Sequence, residues 1–371
     1  MAMATVRAST QTYFGNLAVL RGRLQNVRCH YSTVPIKRGA GGRSSVSGLT
    51  VTVFGATGFL GRYVVNRLGR VGSQIVVPHR GDEYYCNHLK VMGDLGQINF
   101  QPYSPRDPET VLNAMKYSNV VINLIGRDYE TRNYNFHETH VEVPRLIAAT
   151  ANSLGITNLI HVSALNADHN SPSKFLKSKI EGEEAVRDAC PSAVIVRPAD
   201  MAGEEDKFLN YYSYLARLRF VPVLSEAFEI YKSPIFVVDV AKAIVNAVTD
   251  PQSAGRTYEL TGSDRLLLAD LINYIQQVTY RPQHIAIVPK RIYNLIAYIL
   301  ELNPFFPRLT RDKLIRQYIS DSNSEDIPGL EDLGIKPVPL ESYAIQIVRR
   351  HRQPDSYKKT LDDVKPLRKS S

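Results

Sequence analysis

The chain has 371 residues, long enough for one large domain with an appended lobe, and its 44% apolar content is that of an ordinary globular protein. Its three cysteines, Cys29, Cys86 and Cys190, form no C-x-x-C pair, which excludes a disulfide framework and a thiolate zinc site, and no metal is expected. A formal charge of +9 would suit nucleic acid, yet seven excess charges lie in residues 1–50 (Arg7, Arg21, Arg23, Arg28, Lys37, Arg38 and Arg43, with no acidic residue), so the remainder is close to neutral and argues against a nucleic-acid partner.

The leader is rich in Ser, Thr and Ala and spaces Tyr13, Leu17, Leu20 and Leu24 along one helical face. An Arg-rich amphipathic stretch without acids predicts a mitochondrial presequence, cut near Tyr31 or Ser32 and followed by a flexible Gly/Ser/Arg linker, so residues 1–48 are read as presequence and linker. A basic arm that binds nucleic acid is the alternative reading of the same charges.

Residues Val51 to Gly61 read Val-Thr-Val-Phe-Gly-Ala-Thr-Gly-Phe-Leu-Gly, a short apolar strand running into a glycine loop, followed by a helix predicted over Arg62 to Leu68. In this context Gly55 turns the chain off the strand and Gly58 lets backbone N–H groups approach a pyrophosphate. Gly61 lets the helix pack close to the sheet, and the helix N-terminus favours the phosphates. Strands are then predicted at Ser73–Val77, Gln97–Gln101, Asn119–Leu124, Asn158–Ser163 and Ala193–Val196, and helices over Tyr134–Leu154 and Ser173–Ala189. Such alternation predicts an α/β, doubly wound parallel sheet of the Rossmann kind, with residues 49–200 as a dinucleotide-binding domain.

Ligands of such sheets bind beyond the carboxyl ends of the strands. After the second strand stands Pro78-His79-Arg80, where a carboxylate would select NAD and a basic group meets a 2′-phosphate; Arg80 favours NADPH, and Asp82 keeps NADH open. The third strand leads into Tyr103-Ser104-Pro105-Arg106-Asp107. The fourth ends in Asn123-Leu124-Ile125-Gly126, with Asn123 placed to tie neighbouring strands, and the fifth ends at Ser163. Lys179 lies sixteen positions on, and Arg197-Pro198 follows the sixth strand.

Residues 201–343 are expected to form a second, smaller α/β lobe with some return to the sheet. Ile235–Val238 reads as the returning strand, and Asp239 as the cap of a helix to Val248. Arg256–Leu260 and Ile285–Val288 read as further strands. Ile292, Leu295, Ile296, Ile299 and Leu300 recur at helical spacing, too short a run to cross a bilayer. That helix is read either as core of the lobe or as a docking face against lipid or a membrane-surface partner through residues 290–307. Residues 344–371 form a basic tail, with Arg349, Arg350, His351 and Arg352 expected in solvent.

Together these residues resemble the extended short-chain dehydrogenase/reductase superfamily in its atypical branch. The resemblance implies the GxxGxxG loop, a serine after the fifth strand, a Tyr-x-x-x-Lys pair on the next helix and a proline after the sixth strand. In that pair tyrosine exchanges a proton with substrate while lysine holds the nicotinamide ribose. Here the segment reads Phe175-Leu176-Lys177-Ser178-Lys179, and phenylalanine has no proton to give.

Longer strings are similar to a family of accessory subunits of mitochondrial respiratory complex I: Val120–Arg127, Val237–Val248, Leu330–Ile335 and Asp363–Pro366. This resemblance implies a subunit on the matrix side of the inner membrane, among other complex I subunits of the peripheral arm near the ubiquinone site. It implies a tightly held NADPH; NADH is the alternative, and FAD fits less well. Members of the family often keep the tyrosine, so it is Phe175 that leads to the expectation of no catalytic residue, and the aspartate that extended dehydrogenases place near the adenine would have to be replaced by Asp107 or Arg106. Gly55, Thr57, Gly58, Phe59, Leu60, Gly61, Arg80, Leu124, Ile125, Gly126, Ser163, Lys179 and Pro198 would hold the cofactor. A free mitochondrial NADP(H)-dependent reductase is the competing expectation.

Overall fold

The computed structural model describes residues 37–217, 220–281, 284–303, 307, 309–324, 326–356, 364, 366 and 367; the leader through residue 36, with Cys29, lies outside the described residues. Strands β1 (Thr50–Phe54), β2 (Gln74–His79), β3 (Ile98–Pro102), β4 (Val120–Asn123), β5 (Asn158–Val162), β6 (Val194–Pro198) and β11 (Thr257–Leu260) form one sheet in the order β11-β6-β5-β4-β1-β2-β3. Every pairing in it is parallel. The order reverses between β1 and β4, so the crevice for a ligand opens where the glycine loop leaves β1.

The central strands are apolar on both faces because helices cover both. Val51, Val53, Ile122, Ile160, Val162 and Val196 face one core, while Phe54, Val121 and Leu159 face the other; successive side chains alternate with the pleat. Helices α1 (Phe59–Val71) and α6 (Val237–Thr249) cover the first face, and α2 (Pro108–Met115), α3 (Val143–Ser153) and α4 (Lys174–Ala189) the second. Asp107 caps α2 by accepting from the N–H of Glu109, with Pro108 at the first helical position. Ser173 caps α4 through its hydroxyl.

Residues after Pro198 build β7 (Met201–Ala202), α5 (Leu209–Leu215), β8 (Phe220–Val223), β9 (Tyr231–Lys232), β10 (Ile235–Phe236), β12 (Leu266–Leu267), α7 (Leu268–Thr279), β13 (His284–Ile287), α8 (Lys290–Glu301), α9 (Arg311–Gln317) and α10 (Leu340–Val348). Leu209, Tyr212, Val221, Leu268, Ile272, Ile275 and Tyr343 make a separate core there. The segment gives α6 and β11 back to the large sheet, where β11 pairs with β6.

Several expectations are corrected. The first helix begins at Phe59 rather than Arg62, so the loop proper is Gly55 to Gly58 and Phe59, Leu60 and Gly61 form the first helical turn. The helix expected from Tyr134 to Leu154 is interrupted by a π-turn over Glu138–Glu142. Asp239 lies inside α6 and does not cap it; its buried carboxylate accepts from the N–H of Val338 at 3.1 Å and pairs with Lys242 at 2.9 Å. The described part of the linker is folded: Arg38 and Val46 bridge antiparallel, and the N–H of Ser47 bonds to the carbonyl of Gly72. The start of the basic tail is also packed. His351 and Arg352 are buried, and Arg352 Nε donates to the carbonyl of Val278, one of the last in α7, where a cation satisfies otherwise open carbonyls. Lys358, Lys359, Arg368 and Lys369 lie outside the described residues.

Candidate functional site

Two adjoining cavities, of about 610 and 780 Å³, open at the carboxyl ends of β1, β2, β4 and β5 and share Gly55, Thr57, Gly58, Leu124, Gly126 and Arg127 as lining. The glycines between them are required by geometry. Gly55 has φ +77°, where a side chain is strained, and a Cβ there would stand 3.0 Å from the backbone of Leu124. A Cβ at Gly61 would stand 2.4 Å from the carbonyl oxygen of Ala56, so only glycine lets α1 start this close to the loop. The N–H of Gly58 bonds back to the carbonyl of Gly55 at 3.0 Å and closes the turn.

The first cavity is bounded by Pro78, His79, Arg80, Tyr103, Ile125 and Tyr134 among others. The guanidiniums of Arg80 and Arg106 both lie over the Tyr134 ring, at 5.5 and 4.5 Å. Arg106 also donates to the carbonyl of Asn133, and Asp107 is spent on the α2 cap, so neither expected adenine partner lines this cavity. Tyr103 does. Burial pushes its hydroxyl up to about 12, against the pull of Arg80. Asp82 accepts from the N–H of Tyr84 at 3.0 Å at the start of a short helical turn and stands outside the lining.

The second cavity adds Phe59, Leu60, Gly61, Ser163, Phe175 and Lys179. Lys179 projects from α4 across the end of β5, and its Nζ donates to the carbonyl of Val162 at 3.1 Å. Gly126 faces that amine: a Cβ there would sit 3.3 Å from Nζ. Burial holds the ammonium down to about 8, opposed by Glu183 and Asp128. Ser163 Oγ is buried without a hydrogen-bond partner among the described residues, a polar group open to a ligand. Twelve of the thirteen expected residues therefore line the two cavities; Pro198 does not, its carbonyl being bonded to the N–H of Leu165.

The base of α4 is held by histidines that stay neutral. Burial lowers His140 to about 2 and His161 to about 3, with Lys179 adding to both. His140 accepts from the N–H of Arg127 through Nε2 at 3.2 Å, which places its proton on Nδ1, 2.8 Å from Ser178 Oγ. His140 sits in the π-turn, and Gly182 lets α4 approach so closely that a Cβ would meet the carbonyl of His140 at 2.1 Å. Asn123 donates to His161 Nδ1 at 3.1 Å and ties β4 to β5 as expected.

Residues 51–260, more than half of the chain, match the model of the NAD dependent epimerase/dehydratase family. The chain is 47% identical over 339 residues to the mitochondrial NADH dehydrogenase [ubiquinone] 1 alpha subcomplex subunit 9 of Mus musculus, covering 91% of this chain and 89% of that protein. The chain belongs to the alpha subcomplex subunit 9 family. A subunit 9 from Arabidopsis thaliana is 39% identical over 328 residues, covering 85% of this chain and 81% of that one. The fold is shared with an NADPH-dependent quinone oxidoreductase from Escherichia coli, solved with NADPH, at a TM-score of 0.62 and 16% identity over 80% of this chain and 99% of that one.

In this subunit 9 chain Phe175 sits 5.8 Å from Lys179 Nζ, packed edge-on against Phe136 and His140, with the Arg316 guanidinium 4.1 Å over its ring. Arg316 comes from α9 of the second lobe, and so does Asp312, which accepts from the N–H of Lys174 at 2.7 Å and from Ser173 Oγ. The second lobe thus clamps the start of α4. Asp128, Lys207, Lys313 and Arg316 line the second cavity and escaped the reading of the sequence. The signal available was the position of Asp128, just beyond the carboxyl end of β4.

Proposed function

We propose that the chain is a non-catalytic accessory subunit of mitochondrial respiratory complex I, seated on the matrix side of the inner membrane among other complex I subunits, that holds NADPH as a fixed part of its fold. Membership of the subunit 9 family supports the assembly. Gly55, Thr57, Gly58, Phe59, Leu60 and Gly61 would hold the pyrophosphate, Leu124, Ile125 and Gly126 the floor, and Ser163 and Lys179 the nicotinamide ribose. When bound, the nucleotide supplies hydride chemistry in principle. The observation that carries the non-catalytic reading is Phe175 beside Lys179: a ring without a titratable proton stands four residues before the lysine, where the superfamily resemblance would put a tyrosine. The buried His140 and His161, both kept neutral, offer no charged acid in its place. A nucleotide that binds only the folded state adds RT ln(1 + [L]/Kd), about 4 kcal/mol at a thousandfold excess over Kd, so a structural role needs no turnover.

The test is an NADPH oxidation assay on the purified full chain with quinone and aldehyde acceptors. No turnover is expected, whereas oxidation at about 1 per second or faster would restore the free-reductase reading.

Helix α8 supports a place beside the membrane. Only Tyr293 and Ala297 of it are buried, while Ile292, Leu295 and Ile299 are 52%, 59% and 59% exposed and Leu302 beyond its end is 65% exposed. Lys290 and Arg291 flank this apolar face. Phe305 and Phe306, part of the same expected surface, lie outside the described residues. No described helix is long and apolar enough to cross a membrane. An exposed apolar face with cations at its border suits the lipid interface. Leu295→Glu with Ile299→Glu is expected to cut sedimentation with anionic lipid vesicles by about tenfold without lowering the melting temperature; undiminished sedimentation would remove lipid as the occupant of this face.

A further inference from the structure

The second cavity holds more positive charge than its own carboxylates balance. Lys207, Lys313 and Arg316 line it and are absent from the lining of the cavity that Arg80 borders. They share Asp128, which lies 2.7 Å from Lys207 Nζ and 3.7 Å from the Arg316 guanidinium. Asp200 also lines the cavity but is paired with the buried Lys232 at 3.4 Å. Lys313 Nζ stands 5.0 Å from the Tyr211 ring and has no ion pair with a carboxylate among the described residues.

The cations are also held in place. Lys313 and Arg316 lie three residues apart on α9 and so project from neighbouring positions of one helix face. Asp312 fastens that helix to the N-terminus of α4, and Arg316 rests on Phe175, which leaves guanidinium N–H groups free to meet an anion. Crowding of this kind disfavours the charged form of a lysine. Burial first, then Arg316 and Lys207, holds the Lys313 ammonium below the usual lysine range, although Asp128 pulls the other way.

We propose that the part of this cavity bordered by Lys207, Lys313 and Arg316 is a second ligand site, which takes a small doubly charged oxyanion, either a phosphate ester or a dicarboxylate. An oxyanion there completes the charge balance that Asp128 alone leaves short, and charge-assisted hydrogen bonds from fixed donors give it affinity. The glycine loop, Ser163 and Lys179 border the same cavity, so the anion would sit beside the nucleotide, and loss of anion binding at saturating NADPH would show that the cations serve the nucleotide itself and would overturn the site.

The test is calorimetric titration of the full chain with inorganic phosphate and, separately, with succinate, each with and without saturating NADPH. Saturable binding of at least one probe is expected in both conditions, and the tighter probe identifies the class. Lys313→Met is expected to weaken it by roughly tenfold or more. Lys207→Met, in a side chain 67% exposed whose loss leaves α9 untouched, is expected to do the same. Lys336→Met, on an exposed residue outside the cavity, should leave affinity within about twofold. Absence of saturable binding by both probes, unchanged affinity in both lysine variants, or an equal loss in Lys336→Met would overturn the site. Failure of NADPH to bind would count against the dinucleotide reading alone, because the titrations without it still report on Lys313.

Discussion

Gly61→Val is expected to lower the thermal midpoint by roughly 5–10 °C and to abolish dinucleotide binding. The first Cβ added at this position would lie 2.4 Å from the carbonyl oxygen and 2.6 Å from the carbonyl carbon of Ala56. These are backbone atoms and cannot rotate away, so either α1 tilts off the sheet or the loop opens. Overpacking of this severity costs about 3 kcal/mol, which in a domain of this size is several degrees of midpoint. Leu60, Val64, Val65 and Leu68 of α1 all belong to the main core, so a tilt also loosens apolar packing. The loss of ligand follows because the same turn presents the N–H groups that would meet the pyrophosphate. Differential scanning fluorimetry with and without NADPH checks both parts, and a midpoint within about 1 °C of the parent would contradict the close approach.

Arg80→Ala should separate the two nicotinamide nucleotides. Arg80 borders the first cavity, with Tyr134 5.5 Å from its guanidinium. The competing carboxylate, Asp82, already accepts from the N–H of Tyr84 and does not line the cavity. A guanidinium that reads a 2′-phosphate through charge-assisted hydrogen bonds contributes about 1.5–3 kcal/mol, a loss of roughly 10- to 100-fold in NADPH affinity when it is removed. NADH has no such phosphate, and its affinity should hold within about twofold. Equal losses for both nucleotides would assign Arg80 a structural part, such as ordering Tyr134.

Much of this site could be read locally. Gly55, Gly58 and Gly61 carry their own geometric reasons, and β-α alternation with apolar strands pointed to a parallel sheet covered on both faces, because such strands have no solvent face to mark with polar residues. Arg80 was legible by its position after β2. What escaped depends on contacts between distant residues: Asp128, Lys207, Lys313 and Arg316 meet only when the second lobe closes on the sheet. Asp239 looked like a helix cap because a carboxylate near a helix start usually is one, yet its partner is Val338, 99 residues on. The basic run at Arg349–Arg352 looked solvated because nothing local reveals that the carbonyl of Val278 awaits a donor. The apolar spacing in α8 was plain, but spacing alone does not tell a core helix from an unpartnered one; only Tyr293 and Ala297 turned out to be buried.

The lobe contact also gives Phe175 its meaning. Arg316 over its ring, and Asp312 at the head of α4, hold the phenyl ring beside Lys179.

The most direct test is mass spectrometry of the nucleotide released by denaturing the large respiratory assembly isolated through a tag on this chain, before and after a period of NADH oxidation. The chain is expected to come with the assembly and to yield NADPH, in equal amount to the chain and unchanged by turnover. Isolation of the chain without the assembly, or of an assembly that yields no NADPH, would contradict it.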